Sequence, residues 1–281
     1  MAKSKAEAKA RAAESLVVER RGAVLTIGLD RPHKRNAIDD ATIDALERIF
    51  SDLPDGVRAV VLHGVGPNFS AGLDLNGVGD RDVAAAVRHS RAWQRCFEKI
   101  EFGPAPVVAV LKGAVIGGGL ELAAAAHIRV SEPSAYYALP EGQRGIFVGG
   151  GGSVRLPRLI GVARMADMML TGRVYRAEEG AQVGFAQYLV GEGEGLAKAL
   201  ALAEAMAGNA PLSNFAVIQA LPRIADSDPR VGYLMESLMA AAAQSDGEAK
   251  ARVRAFLDKR AAKTRPERPH RGRTKPEGAD A

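Results

Sequence analysis

The chain has 281 residues, 47% of them hydrophobic, and a formal net charge of +5. That length suits one large domain or one domain plus an extension. The single cysteine, Cys96, excludes an intrachain disulfide and points to a reducing, cytoplasmic setting. No apolar run reaches the roughly 18–20 residues of a membrane span, and the first 15 residues lack the apolar core of a signal peptide.

The basic character sits at the ends. Residues 1–21 carry six Lys/Arg against three Asp/Glu, and residues 248–281 carry eleven against five, which leaves the stretch between them at −4. Either the ends meet an anionic partner or they are solvated. Residues 1–14 read as a charged extension, frayed or disordered, and residues 260–281 as a disordered basic tail.

The fold begins with two β-like runs, Leu16–Glu19 and Val24–Leu29, joined as a hairpin across Arg21-Gly22. The polar loop Arg31–Asn36 follows, either a solvated turn or a cradle for phosphates. Asp39 or Asp40 caps a helix to about Leu53, and Val57–His63 is a buried strand. Phe69–Leu75 is a short apolar run with Gly72 at its centre. Asp82–Phe102 reads as a long helix whose Trp93 and Cys96 are core residues. Val107–Leu111 is a buried strand, and it delivers Gly117, Gly118 and Gly119 to an Ala-rich helix ending near Ala126. Ile128–Ser131 and Tyr136–Leu139 are further strands. Glu141 lies in a polar turn, and Gly149–Gly152 reads as a flexible gap. Helices then dominate: Val154–Ile160, Val162–Leu170, Ala177–Val183, Leu196–Ala207, Leu212–Ile224, Val231–Ala243 and Glu248–Asp258, with Tyr188–Val190 as the one strand among them. Strands and helices alternate in the first half, which marks an α/β core.

Glycines at a helix start leave backbone N–H groups uncovered, and the helix end adds partial positive charge. Gly117 and Gly118 therefore outline an anion or oxyanion site, and Glu121 beside them supplies acid–base capacity. The spacing GxxxGGG is not the dinucleotide GxGxxG, and no Walker lysine or GxSxG elbow occurs. The five histidines show no ligand spacing, so no metal site is expected. Each remaining element is weak alone, because Glu121 is equally read as a carboxylate favoured by the helix dipole.

AVLKGAVIGGGLELAAAAHIRV, with FSAGLDL before it and LPEGQRGIFVGGGG after it, resembles the crotonase superfamily of enoyl-CoA hydratases and isomerases. The resemblance spans about Leu16 to Phe256 and includes Arg31–Ala37, Leu170–Gly172 and Ala255–Arg260. It implies a crotonase-like spiral of ββα units over residues 15–195. A helical region at 196–259 would build trimers, often paired as hexamers. The implied substrate is an acyl-CoA, with coenzyme A part of that substrate and no separate cofactor. The N–H groups of Leu73 and Gly118 would form the oxyanion hole. Ala71, Gly72, Asp74, Gly117, His33 and Lys34 would contact substrate or coenzyme A, and Lys259 or Arg260 would approach its phosphates or be solvated.

The hydratases of that family carry two glutamates twenty positions apart, as at Glu121 and Glu141, so the resemblance favours water addition. Val148 replaces a usual proline, and His127 a usual aspartate. His33 stands where a lysine is common. Gln143 and Arg144 are polar where simple hydratases are apolar, which points either to a polar, aromatic or branched acyl group or to solvent. Leucine in the oxyanion turn also occurs in dienoyl isomerase-like members, so isomerisation is the alternative. A non-catalytic RNA-binding or scaffold member is a third reading, but such a descendant need not keep both glutamates and both glycine turns. Nucleic acid and membrane partners are not expected.

Overall fold

A computed structural model describes residues 15–76 and 81–258. The readings made for residues 1–14, the 260–281 tail, Lys259 and Arg260 lie outside them.

The main sheet runs β1 (Leu16–Arg21), β2 (Val24–Leu29), β3 (Ala59–Gly64), β4 (Val107–Leu111), β6 (Ile128–Ser131) and β9 (Tyr188–Leu189) in spatial order. Only the β1–β2 hairpin is antiparallel. Parallel strands are buried on both faces and therefore read as continuous apolar runs. Here β4 is VVAVL, with all five residues buried. Alternate side chains serve two cores: Val107, Ala109 and Leu111 face one, Val108 and Val110 the other.

The smaller core is covered by α7 (Gly195–Ala207), whose Ala199, Ala203 and Ala207 let the helix lie close to the sheet. The larger core is covered by α1 (Asp40–Ser51), α2 (Val83–Glu101) and α3 (Gly118–Ala125). Asp39 caps α1, accepting from the Thr42 N–H at 2.9 Å. Along α2, Trp93, Cys96, Phe97 and Ile100 form one buried stripe at helical spacing. All eight residues of α3 are buried, so its Ala/Leu composition reflects an interior helix rather than an amphipathic one.

A second sheet orders β5 (Ala114–Ile116), β7 (Tyr136–Ala138) and β8 (Tyr175–Arg176). The sequence reading lacks β5 and β8. At three and two residues they have no periodicity of their own and exist through their pairing with β7. Strand β5 ends two residues before α3, and the single pairing of Ser70 with Val115 brings the Ser70 turn to that sheet end, beside the N-terminus of α3.

Beyond β7 come α4 (Gly152–Ile160), α5 (Val162–Thr171) and α6 (Ala177–Val183). The helix expected over Leu212–Ile224 is instead α8 (Pro211–Phe215), a π-turn over Ala216–Ala220, and α9 (Leu221–Ala225). Pro222 has no N–H and cannot follow a regular turn, so the ladder widens and the Leu221 N–H reaches the Ala216 carbonyl. Helices α10 (Pro229–Ser245) and α11 (Gly247–Leu257) finish the described chain. No helix among the described residues is long and apolar enough to cross a membrane.

Candidate active site

Two backbone turns meet at the N-terminus of α3. In one, buried Ser70 acts as the knot: its Oγ donates to the Asn36 carbonyl at 2.8 Å and accepts from the Gly72 N–H at 3.1 Å. Gly72 has φ +89°, and a Cβ on it would lie 2.6 Å from the Ile116 carbonyl oxygen. Only glycine fits there. In the other turn, a Cβ on Gly118 would sit 3.4 Å from the Leu73 amide nitrogen. The amides of Leu73 and Gly118 are therefore neighbours although 45 residues separate them in sequence. Among the described residues, neither N–H meets an acceptor.

Both glutamates line the same cavity of about 300 Å³ as these amides, together with Ala71, Gly72 and Gly117. Their environments differ. Glu121 projects from the first turn of α3, and its Oε1 accepts from the Gly150 and Gly152 N–H groups, each at 2.8 Å. Burial raises its pKa, and these N–H bonds and the Arg155 charge offset only part of that rise. Glu141 Oε2 is buried and has no hydrogen-bond partner. Burial, with the Glu121 charge adding, lifts the Glu141 pKa to about 7. Glu141 Oε1 lies against the Gly117 backbone, where a Cβ would come within 2.7 Å.

The run at Gly149–Gly152 is thus not a flexible gap. Its amides cradle a carboxylate, and a Cβ on Gly152 would meet Glu121 Cγ at 2.8 Å. Bare glycine spacing carries no sign of that use. Sequence reading also passes over Ser90, Gln94 and Arg155, which fix the loop from outside (Ser90 Oγ to the Gly149 carbonyl, 2.6 Å). Their contacts depend on which helices pack beside the loop, and no local pattern shows that.

Trp93 belongs to the core and also walls the cavity, its ring over Gly118. Val148 lines the cavity, as does Arg144, whereas Gln143 lies against Gly172 at the end of α5. His127 bridges backbone instead of serving the site: its Nδ1 accepts from the Val107 N–H at 3.0 Å and its Nε2 lies 3.1 Å from the Glu101 carbonyl. Burial lowers its pKa to about 4, so it is neutral near pH 7.

His33, Lys34 and Asp74 line a second cavity of about 560 Å³, which shares Leu73 and Arg81 with the first. Asp74 is gripped by Arg31 and Lys34, each at 2.9 Å. Those bonds outweigh its partial burial and hold its carboxyl at about 2. Asp39 and Asp40 also line this cavity, paired with Arg31 and Arg81 at 3.2 Å each, so its three Arg/Lys charges are matched by three aspartates.

The six-stranded and three-stranded sheets, with paired amides at one helix start, make up the crotonase fold. The model of the enoyl-CoA hydratase/isomerase family matches residues 19–265. Enoyl-CoA hydratase EchA19 of Mycobacterium tuberculosis is 30% identical over 252 residues, covering 87% of this chain and 94% of its own. Carnitinyl-CoA dehydratase of Salmonella enteritidis is 35% identical over 223 residues, covering 78% and 85%. A Rhodopseudomonas palustris crystal structure, solved under a provisional enoyl-CoA hydratase name, is 65% identical with a TM-score of 0.86, covering 88% and 95%. The chain belongs to the enoyl-CoA hydratase/isomerase family.

Proposed function

We propose that this protein adds water across the 2,3 double bond of an enoyl-CoA thioester. One observation carries the reading: two carboxyl groups, one anchored by amides and one with an unpartnered oxygen, line the cavity that holds the two free N–H groups.

The thioester oxygen lies between the N–H groups of Leu73 and Gly118. Negative charge grows on that oxygen as water attacks the β-carbon, and the preset donors favour it; removing one such donor costs about 3–4 kcal/mol. Glu121, its Oε1 fixed, orients the water. Glu141 helps deprotonate that water and exchanges a proton with the α-carbon, so the oxygen ends on one carbon and hydrogen on the next. The two acids feel each other's charge, so ionisation of one disfavours ionisation of the other.

The first cavity takes the acyl group against Leu75, Trp93, Phe147 and Val148. The second, with Arg31, His33 and Lys34, takes the phosphates and adenosine of coenzyme A, and Ala71 meets the adenine. No cofactor beyond the substrate's own coenzyme A is used. The working form is a homotrimer or a dimer of trimers in the cytoplasm, a reading supported by exposed apolar residues along α8 to α11 and by one buried free cysteine.

A panel of acyl-CoA thioesters, short to long and aromatic, tests this. Loss of the conjugated enoyl absorbance with a product heavier by about 18 mass units is hydration. A product of unchanged mass is isomerisation and overturns the reading.

A further inference from the structure

The Gly150 N–H that holds Glu121 is itself held. The Gly149 carbonyl and the Gly150 N–H belong to one planar trans peptide and point in opposite directions. One end donates to Glu121 Oε1 at 2.8 Å. The other accepts from Ser90 Oγ at 2.6 Å and from Gln94 Nε2 at 3.1 Å. Ser90 and Gln94 stand one turn apart on α2, so both reach the same carbonyl. Gln94 Nε2 also lies 3.3 Å from Ser90 Oγ, which ties the two donors together.

The loop needs such anchors. Four consecutive glycines leave the backbone free to rotate, and no Cβ restricts it. Glycine is nonetheless required at 150, where a Cβ would meet Phe97 at 2.8 Å. The bulk that would stiffen the loop is therefore excluded by its place against the core and the carboxylate. Aim has to come from hydrogen bonds to its carbonyls.

We propose that Ser90 and Gln94 are positioning residues for Glu121, acting through the Gly149–Gly150 peptide to keep its N–H on the carboxylate. The catalytic consequence rests on the hydratase reading above; the effect on the carboxylate does not. Bonds accepted by a carbonyl polarise its peptide and strengthen the bond its N–H donates. Arg155 secures the next peptide, its Nη1 donating to the Gly150 carbonyl at 2.9 Å. Its guanidinium is also paired with Glu101 at 2.6 Å, so removing it strands a carboxylate. Ser90 and Gln94 are neutral and can be removed without that complication.

Glu121 is faced by Glu141 from the turn after β7 and by Arg155 from α4, and both are unchanged in the test. The variant is Ser90→Ala with Gln94→Leu, in protein carrying 13C at the glutamate Cδ. Glu121→Gln identifies the Glu121 signal. The signal's titration midpoint is expected to rise by roughly half a unit or more, because a bond to the charged form is weakened. kcat is expected to fall about tenfold with KM within about twofold. In a Glu121→Gln background the same pair of substitutions should change the residual kcat by less than about twofold, because the path runs through Glu121. Ser90→Thr, which keeps the hydroxyl, should restore the midpoint and kcat.

An unmoved midpoint overturns the proposal, as does a full further loss in the Glu121→Gln background. A change in KM alone also overturns it, since Ser90 lines the cavity and would then be acting on substrate. Gln94→Leu alone keeps the question open to test if the double variant does not fold: a smaller upward shift supports the proposal and none overturns it. A wild-type protein that titrates as described yet hydrates no thioester sinks the hydratase reading and leaves the positioning role standing.

Discussion

Glu141 is the residue whose charge state matters most, and Gly117 is why it sits where it does. The Gly117 backbone has φ +52° and ψ −123°, outside the regions open to residues with a Cβ. A Cβ there would also press on Glu141 Oε1. Gly117→Ala therefore carries strain of about 1–3 kcal/mol and displaces the carboxylate. Thermal melting should show the loss in stability, and steady-state assay a larger loss in kcat. Glu141→Gln should lower kcat by roughly 10²–10⁴-fold while leaving the circular dichroism unchanged.

Glu141→Gln should also stabilise the fold at high pH. In the wild type, the folded pKa of about 7 lies above the ordinary 4.5. Between those values the folded state holds a proton that the unfolded state has lost, so stability falls as pH rises through the window. The amide has no such penalty. Its advantage should be near zero at pH 4 and roughly 3 kcal/mol at pH 8, by denaturant titration. Equal stability differences at both pH values would contradict the burial of an unpartnered carboxyl.

At the scale of elements, α2 carries the acyl-cavity wall on one face and the loop anchors on the adjoining one. Its start is fixed by Asp82, whose Oδ1 accepts from the Ala85 N–H at 2.6 Å. Asp82→Ala should cost about 1 kcal/mol and lower Tm by a few degrees, with kcat retained if α2 frays only at its first turn. The elements that sequence predicts well are those with their own signal. Apolar runs mark β3 and β4, an Asp cap and a buried stripe mark α1 and α2, and glycines at a strand end mark the opening of α3. Strands β5 and β8 have too few residues to show a period, and the π-turn before Pro222 looks like ordinary helix in apolar spacing. The site divides in the same way. Glu121 and the glycine turns announce backbone donors beside a carboxylate. Glu141 gains meaning only from family resemblance, and the cradle at Gly149–Gly152 from tertiary packing.

In the whole molecule, two cavities meet at Leu73 and Arg81, one walled in part by Leu75, Trp93, Phe147 and Val148 and one where Arg31, Lys34 and Arg81 stand among three aspartates. A ligand with an acyl end and a phosphate-bearing end matches that division. The helical end of the chain is unlike the rest: Val231, Tyr233, Leu234 and Leu238 on α10, and Phe256 and Leu257 on α11, are all more than half exposed. Apolar residues so concentrated are the surface that the proposed trimer would cover. Leu234→Glu with Leu238→Glu should dissociate the assembly in sedimentation velocity; unchanged sedimentation would show that α10 is not the contact. The central claim is convergence of the Leu73 and Gly118 amides on one thioester oxygen. Infrared spectroscopy of a bound saturated acyl-CoA, 13C-labelled at the thioester carbon, reads that oxygen directly. The account predicts a carbonyl stretch at lower frequency than in free solution, because two donors polarise the bond. A stretch unchanged from solution in a saturated complex would contradict it.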